Sequence, residues 1–218
     1  DWKKTLLAVF PGQTDLQLEF DFLTYDPIFE SVDLSVWETM QAVWKLARSG
    51  ASNALGLRRG VLGDVSDRVR WTAGYVVAWV EDEEFKRETR ALVLDKVVDY
   101  QPDLILAHSL GSLVTYEAFA HRDAAHDDVA AAISRARYVT LGSQLGNPFV
   151  LGNLAGGRIA PLPVKLWHHL YNEDDDVFTA EIRLPGEPRF RQIDTPFDIG
   201  GFADHSAVEY LRHRNAIE

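Results

Sequence analysis

The run Leu104-Ile105-Leu106-Ala107-His108-Ser109-Leu110-Gly111-Ser112-Leu113-Val114 constrains the fold more than any other part of the chain. Gln101-Pro102-Asp103 ends a preceding helix, an apolar stretch from Leu104 reads as a buried strand, and Ser112 to Ala120 continue with helix formers at helical spacing. A strand therefore passes into a helix through one sharp turn, with Ser109 at its apex. Strand and helix nearly touch in such a turn, so small residues are required two positions to either side, and Ala107 and Gly111 supply them. The turn also has a chemical consequence. A serine hydroxyl is a weak nucleophile at neutral pH and must stand clear of its backbone, with room for a general base beside it and an amide donor behind it. Ser109 also suits the plainer role of a helix N-cap, although a cap alone needs no small residues on both sides.

Ala-His-Ser-Leu-Gly between a strand and a helix resembles the nucleophile elbow of the α/β-hydrolase superfamily, in its serine esterase and lipase-like branch. The usual pattern is G-x-S-x-G, and Ala107 replaces its first glycine with one added methyl group. A second block, Tyr138-Val139-Thr140-Leu141-Gly142-Ser143-Gln144-Leu145-Gly146, resembles the strand and turn that many serine esterases carry after the elbow helix. The resemblance spans roughly residues 100 to 213. It implies an α/β fold with a mostly parallel sheet and helices on both faces. The activity it implies is cofactor-free hydrolysis of carboxylic esters through a Ser-His-Asp triad and an acyl-enzyme intermediate.

In that superfamily the chain order is nucleophile, acid, histidine, with the acid after a later strand and the histidine in a loop near the end. Leu166-Trp167-His168-His169-Leu170-Tyr171 reads as such a strand, followed by the acidic loop Asn172-Glu173-Asp174-Asp175-Asp176-Val177-Phe178. The resemblance puts the acid two residues before a hydrophobic pair, which favours Asp175, with Asp174 and Asp176 as alternatives. Three adjacent carboxylates also suit a solvated loop. They lack the alternation and the glycine of a calcium loop, so no metal is expected. Among the seven histidines, only His205 falls in a loop after the acid with a helix behind it, and it becomes the candidate base. His121 and His126 lie on or just after the elbow helix, His168 and His169 within a strand, and His213 on the last helix. His108 should point away from the hydroxyl and pack below the site.

The amide of Leu110, directly after the nucleophile, is the expected oxyanion donor. The family's second donor comes from a His-Gly loop after an early strand, and no His-Gly dipeptide occurs in this sequence. Two readings of the N-terminus follow. In one, Leu6 to Phe10 form that early strand and Pro11-Gly12-Gln13 replaces the loop. In the favoured other, Trp2, Leu6, Leu7 and Phe10 lie on a helix, Leu18 to Tyr25 form the next strand, and the first strand and oxyanion loop precede Asp1.

Residues 1–218 are expected to form one domain, with a helical insert or lid at about 34–80. Val36 to Ala47, Asp67 to Glu81 and Glu83 to Tyr100 read as helices. Four of the six tryptophans fall in the first two. Trp37, Trp44 and the Ala54-Leu55-Gly56-Leu57 loop either cover the sheet or line an acyl pocket, and with Leu145 they are the candidate substrate-binding residues. The glycine-rich stretch Leu145 to Gly157 lacks phosphate-loop spacing and reads as a mobile rim of the cleft. A net charge of −11 argues against nucleic acid and anionic membranes as partners. No segment approaches the roughly 20 apolar residues of a membrane span. With no cysteine, thiol chemistry is excluded and a reducing cytoplasm is the simplest expectation. The sequence leaves two other functions open: an amide or thioester hydrolase with the same triad, and a non-catalytic binding or regulatory module on a hydrolase fold. Oligomeric state is not legible.

Overall fold

A computed structural model describes residues 2–9, 18–25, 28, 41–43, 45–46, 67–175 and 177–217. Its centre is a parallel sheet of β1 (Leu104–His108), β2 (Arg137–Leu141), β3 (Leu166–Tyr171) and β4 (Phe190–Asp194), ordered β1-β2-β3-β4. Register is continuous across the sheet, with His108 opposite Leu141, Leu141 opposite Leu170, and Leu170 opposite Ile193. All four strands therefore end on the same side. In open parallel sheets, reactive groups gather at such carboxyl ends because the loops leave the sheet there.

The helices with described bounds include α1 (Trp2–Val9), α2 (Asp67–Glu81), α3 (Glu83–Tyr100), α4 (Leu110–Ala120), α5 (Asp127–Arg135), α6 (Pro148–Asn153), α7 (Ala207–Arg212) and α8 (Arg214–Ile217). Local chemistry sets their limits. Asp82 caps α3 by accepting from the amides of Glu84 and Phe85 at 2.9 and 3.0 Å, and Glu83 and Glu84 favour the positive end of its dipole. Gln101 then turns left-handed (φ 52°), and Pro102 prevents continuation. Helices α2 and α3 match the sequence expectation residue for residue.

Strand alternation divides the sheet between two cores. On one face Tyr138 and Trp167 pack with Val76, Trp79, Val93, Leu94, Leu113 and Phe119 beneath α2 to α5. On the other, Leu141 and Leu170 pack with Ala207, Tyr210 and Leu211 of α7, against Trp2 and Leu6 of α1. Helices thus cover both faces, as expected of an α/β fold. Among the described residues, no helix is long and apolar enough to cross a membrane.

Near the N-terminus the outcome is mixed. Residues 2–9 are helical, in line with the favoured reading. Residues 18–25 carry no sheet pairing, contrary to it. Leu18 and Phe22 are 40% and 58% exposed, so the alternation of this segment does not present one face to a core. Leu23 and Tyr25 alone pack on the main core.

Within residues 145–157 a short helix forms at Pro148–Asn153. Asn147 caps α6 through the Phe149 amide at 3.0 Å, with Pro148 at the first helical position.

Candidate functional site

Ser109 has φ 54° and ψ −131°, a backbone conformation nearly reserved for glycine that costs on the order of 1–3 kcal/mol and persists only where the surroundings enforce it. The surroundings here do so from β2 and from the first turn of α4. The Ser109 amide donates to the Leu141 carbonyl at 3.0 Å, extending the β1·β2 ladder past the strand end, and the Ser112 amide returns to the Ser109 carbonyl at 2.9 Å. The Ser109 side chain makes no capping hydrogen bond to α4. The serine therefore does not do what an N-cap serine does. Leu110 opens α4, so its amide has no intrahelical acceptor.

Two buried hydroxyls brace the elbow from behind. Ser112 Oγ bonds both the Ser109 carbonyl and, at 2.5 Å, Ser143 Oγ. Ser143 in turn accepts from the Leu145 amide at 3.2 Å. The turn after β2 is thereby joined to the elbow. The neighbour that crowds Gly111 is the end of a side chain rather than the strand. A Cβ there would lie 2.6 Å from the Tyr25 hydroxyl, so the space belongs to a residue far away in sequence.

Asp175 and His205 meet at the carboxyl end of the sheet. His205 Nδ1 lies 2.7 Å from Asp175 Oδ2 and 3.0 Å from Oδ1. Their side chains are only 2% and 0% exposed. The carboxylate is further held by the Val177 amide at 3.0 Å on Oδ1 and by the Tyr210 hydroxyl at 2.8 Å on Oδ2. Asp174, by contrast, is exposed, and Asp176 lies outside the described residues. Between Asp174 and Asp175, burial singles out Asp175 as the partner of His205. An ionised Asp175 is acceptor-only, so His205 carries its hydrogen on Nδ1 and presents Nε2 as the basic nitrogen.

Ser109 stands between two residues that each touch this pair. On its N-terminal side, the His108 ring packs 4.5 Å from the His205 ring and meets Trp2 edge-on at 6.1 Å. Across the ladder, Leu141 leads into Gly142, where a Cβ would sit 3.1 Å from His205 Cε1 and 3.2 Å from Asp175 Oδ2. With φ 51°, Gly142 is required twice, by conformation and by space. Burial, and then the neighbouring His205, hold the His108 imidazole well below its usual pKa of 6.5. It is neutral packing for His205, consistent with a place below the site.

Further ties position the histidine. Asp204, 2% exposed, accepts from the Ile199 amide at 2.5 Å and the Gly200 amide at 3.1 Å, so the turn delivering His205 is closed by the preceding side chain. Asn172 Nδ2 donates to the Phe197 carbonyl at 2.8 Å, joining the acid loop to that turn. Tyr210, Asp204, Asn172 and Gly142 were not singled out from the sequence. Each carries an ordinary local signal, and only the chain crossing between β3 and α7 brings them together.

The other histidines lie elsewhere. His169 is fully buried on the opposite face with Nδ1 2.9 Å from Thr140 Oγ1, and burial lowers its pKa to about 4. His121 and His126 cap short helices, and His213 closes α7 rather than lying within a helix. Leu145, a candidate substrate contact, is 0% exposed in the main core. Its side chain packs within that core and is closed to solvent. Trp37, Trp44 and Ala54 to Leu57 lie outside the described residues, as do Gly12 and Gln13. The described part of the first expected helix, at Ala42, Val43 and Leu46, is buried in the main core, and Asn147 Nδ2 donates to the Leu46 carbonyl at 3.4 Å.

In comparisons with known proteins, no family model, curated protein or solved structure matches the chain.

Proposed function

We propose that the chain is a cofactor-free serine hydrolase of carboxylic esters, built on an α/β-hydrolase type of fold. One observation carries the reading: a buried Asp175–His205 pair packs against His108 and Gly142, and these flank, along the chain and after Leu141 across the ladder, a serine whose φ is 54° and whose side chain caps nothing. A structural serine has no need of that conformation, and a structural aspartate–histidine pair has no need of a neighbouring elbow.

In the reaction, Ser109 Oγ attacks the acyl carbon while His205 Nε2 takes its proton. Asp175 holds the Nδ1 hydrogen and stabilises the imidazolium that forms, without itself becoming protonated. The oxyanion accepts from the Leu110 amide at the start of α4, where the helix dipole adds to the attraction. The proton then passes from His205 to the leaving alkoxide, giving an alcohol and an ester of Ser109. Water, deprotonated by His205, cleaves that ester and releases the acid. The same triad chemistry applies to amide and thioester substrates.

Reaction with a fluorophosphonate probe, together with turnover of a short activated ester, tests the proposal. Wild type is expected to be labelled on Ser109, and Ser109→Ala to lose labelling together with turnover on the order of 10⁶-fold. Because only one oxygen is removed, the fold should survive, as monitored by thermal unfolding. Activity of Ser109→Ala within a few fold of wild type overturns the reading, and an unlabelled wild type favours a non-catalytic module.

A further inference from the structure

Asp175 does not serve His205 alone. Tyr210 Oη lies 2.8 Å from Oδ2, the oxygen that is also 2.7 Å from His205 Nδ1. Tyr210 is 0% exposed, and its ring is pinned edge-on by Phe197 at 5.0 Å. Burial first, and the Asp175 charge second, push its pKa far above the usual value of 10. It therefore stays protonated and can act toward the carboxylate only as a donor. Phenylalanine would fill the same volume, so packing alone does not call for the hydroxyl.

We propose that Tyr210 is a positioning residue: by sharing Oδ2 it fixes the carboxylate plane against His205 and withdraws charge from it, and so sets the pH at which His205 becomes a base. A hydrogen bond to a carboxylate stabilises the anion and weakens its pull on a neighbouring proton. Without the phenol, more negative charge rests on Oδ2 and the imidazolium is favoured. The His205 titration then moves to higher pH. The groups around His205 support this assignment. Asp175 approaches from the loop after β3, and His108 from β1 stays neutral. Gly142 from the turn after β2 adds no charge, and Asp204 spends its carboxylate on the Ile199 and Gly200 amides. Among the described residues, Tyr210 is thus a side-chain donor that shares the Asp175 carboxylate with His205.

The significance for catalysis rests on the proposed hydrolase activity, but the titration does not. The experiment follows the His205 imidazole by NMR across pH in wild type, in Tyr210→Phe, and in protein carrying a ring-fluorinated tyrosine in place of Tyr210. Fluorine makes the phenol a stronger donor without changing its shape appreciably. The midpoint is expected to rise by about 0.5 to 1 pH unit in Tyr210→Phe and to fall in the fluorinated protein, with the acid limb of fluorophosphonate labelling moving in the same directions. Should Tyr210→Phe not fold, the fluorinated protein still reads the sign. Midpoints unchanged from wild type, or moved the opposite way, overturn the proposal. If wild type resists the probe while the midpoints move as stated, the hydrolase reading fails and the role of Tyr210 stands.

Discussion

The two faces of the sheet are built to different standards. Beneath α2 to α5, Trp167 and Tyr138 stack at 5.7 Å, with Phe119, Tyr116 and Phe190 in ring contact around them. The opposite face holds a small cluster, Leu141, Leu170, Ala207, Tyr210 and Leu211, closed by short α7 and by partly buried Trp2 and Leu6 of α1. His205 and its partners sit on the thin face. Burial of large aromatic surface anchors the fold on one side, whereas the geometry of the candidate site depends on a few residues on the other.

Losing the polar pair should expose this difference most sharply. Asp175→Asn keeps the volume but leaves the imidazole in the wrong tautomer, and is expected to cost on the order of 10⁴ in turnover. Asp174→Asn, at an exposed neighbour, should stay within a few fold. Kinetics on a short activated ester check both. Should Asp174→Asn prove the damaging change, the site would not be the buried pair described above.

Core truncations on the two faces come next. Trp167→Ala is expected to lose about 3–5 kcal/mol of stability, because the ring is 2% exposed within the aromatic cluster. Its surviving folded fraction should label at nearly the wild-type rate. Leu211→Ala, on the thin face, should lose about 2 kcal/mol but slow labelling of folded protein, since it loosens the helix behind His205. Urea unfolding paired with labelling rates separates the effects. Equal slowing by both substitutions would mean that the faces are coupled rather than divided.

Acid should reveal the fully buried histidine of the thick face. The pKa of His169 falls from 6.5 to about 4 on folding because burial disfavours the cation. The unfolded chain therefore binds the extra proton between these values. The corresponding stability is fully present above pH 6.5 and is lost as pH falls toward 4, amounting to about 3 kcal/mol. Comparing urea unfolding at neutral and acid pH, His169→Gln should show a shallower loss than wild type. Parallel losses would place the titration elsewhere.

Legibility in the sequence follows the range of the interactions. Helices α2 and α3, the strand at β3 and the elbow at Ser109 were readable because periodicity, caps, proline and small-residue spacing act within a few residues. The pairing of Asp175 with His205 came from an order of residues known in a resembling family, and local chemistry gave no preference among adjacent aspartates. The strand expected at residues 18–25 failed because alternation marks a strand only when a partner edge and a core face are present, and Leu18 and Phe22 have neither.

What this sequence determined by itself is a strand, a sharp turn and a helix carrying a serine, while the mostly parallel sheet around them was implied by a resemblance rather than by the pattern of elements. Tertiary structure alone decided that Asp175, rather than Asp174, is the buried carboxylate. It also decided that Tyr25 fills the space left by Gly111, that Gly142 lies against His205, and that Tyr210 shares an oxygen with the histidine. The physical reason is distance along the chain. Backbone propensity acts between neighbours, whereas desolvation and hydrogen bonding at this site join residues from β1, β2, the loop after β3 and α7, and no residue in that set reports its partners until the sheet has aligned the strand ends.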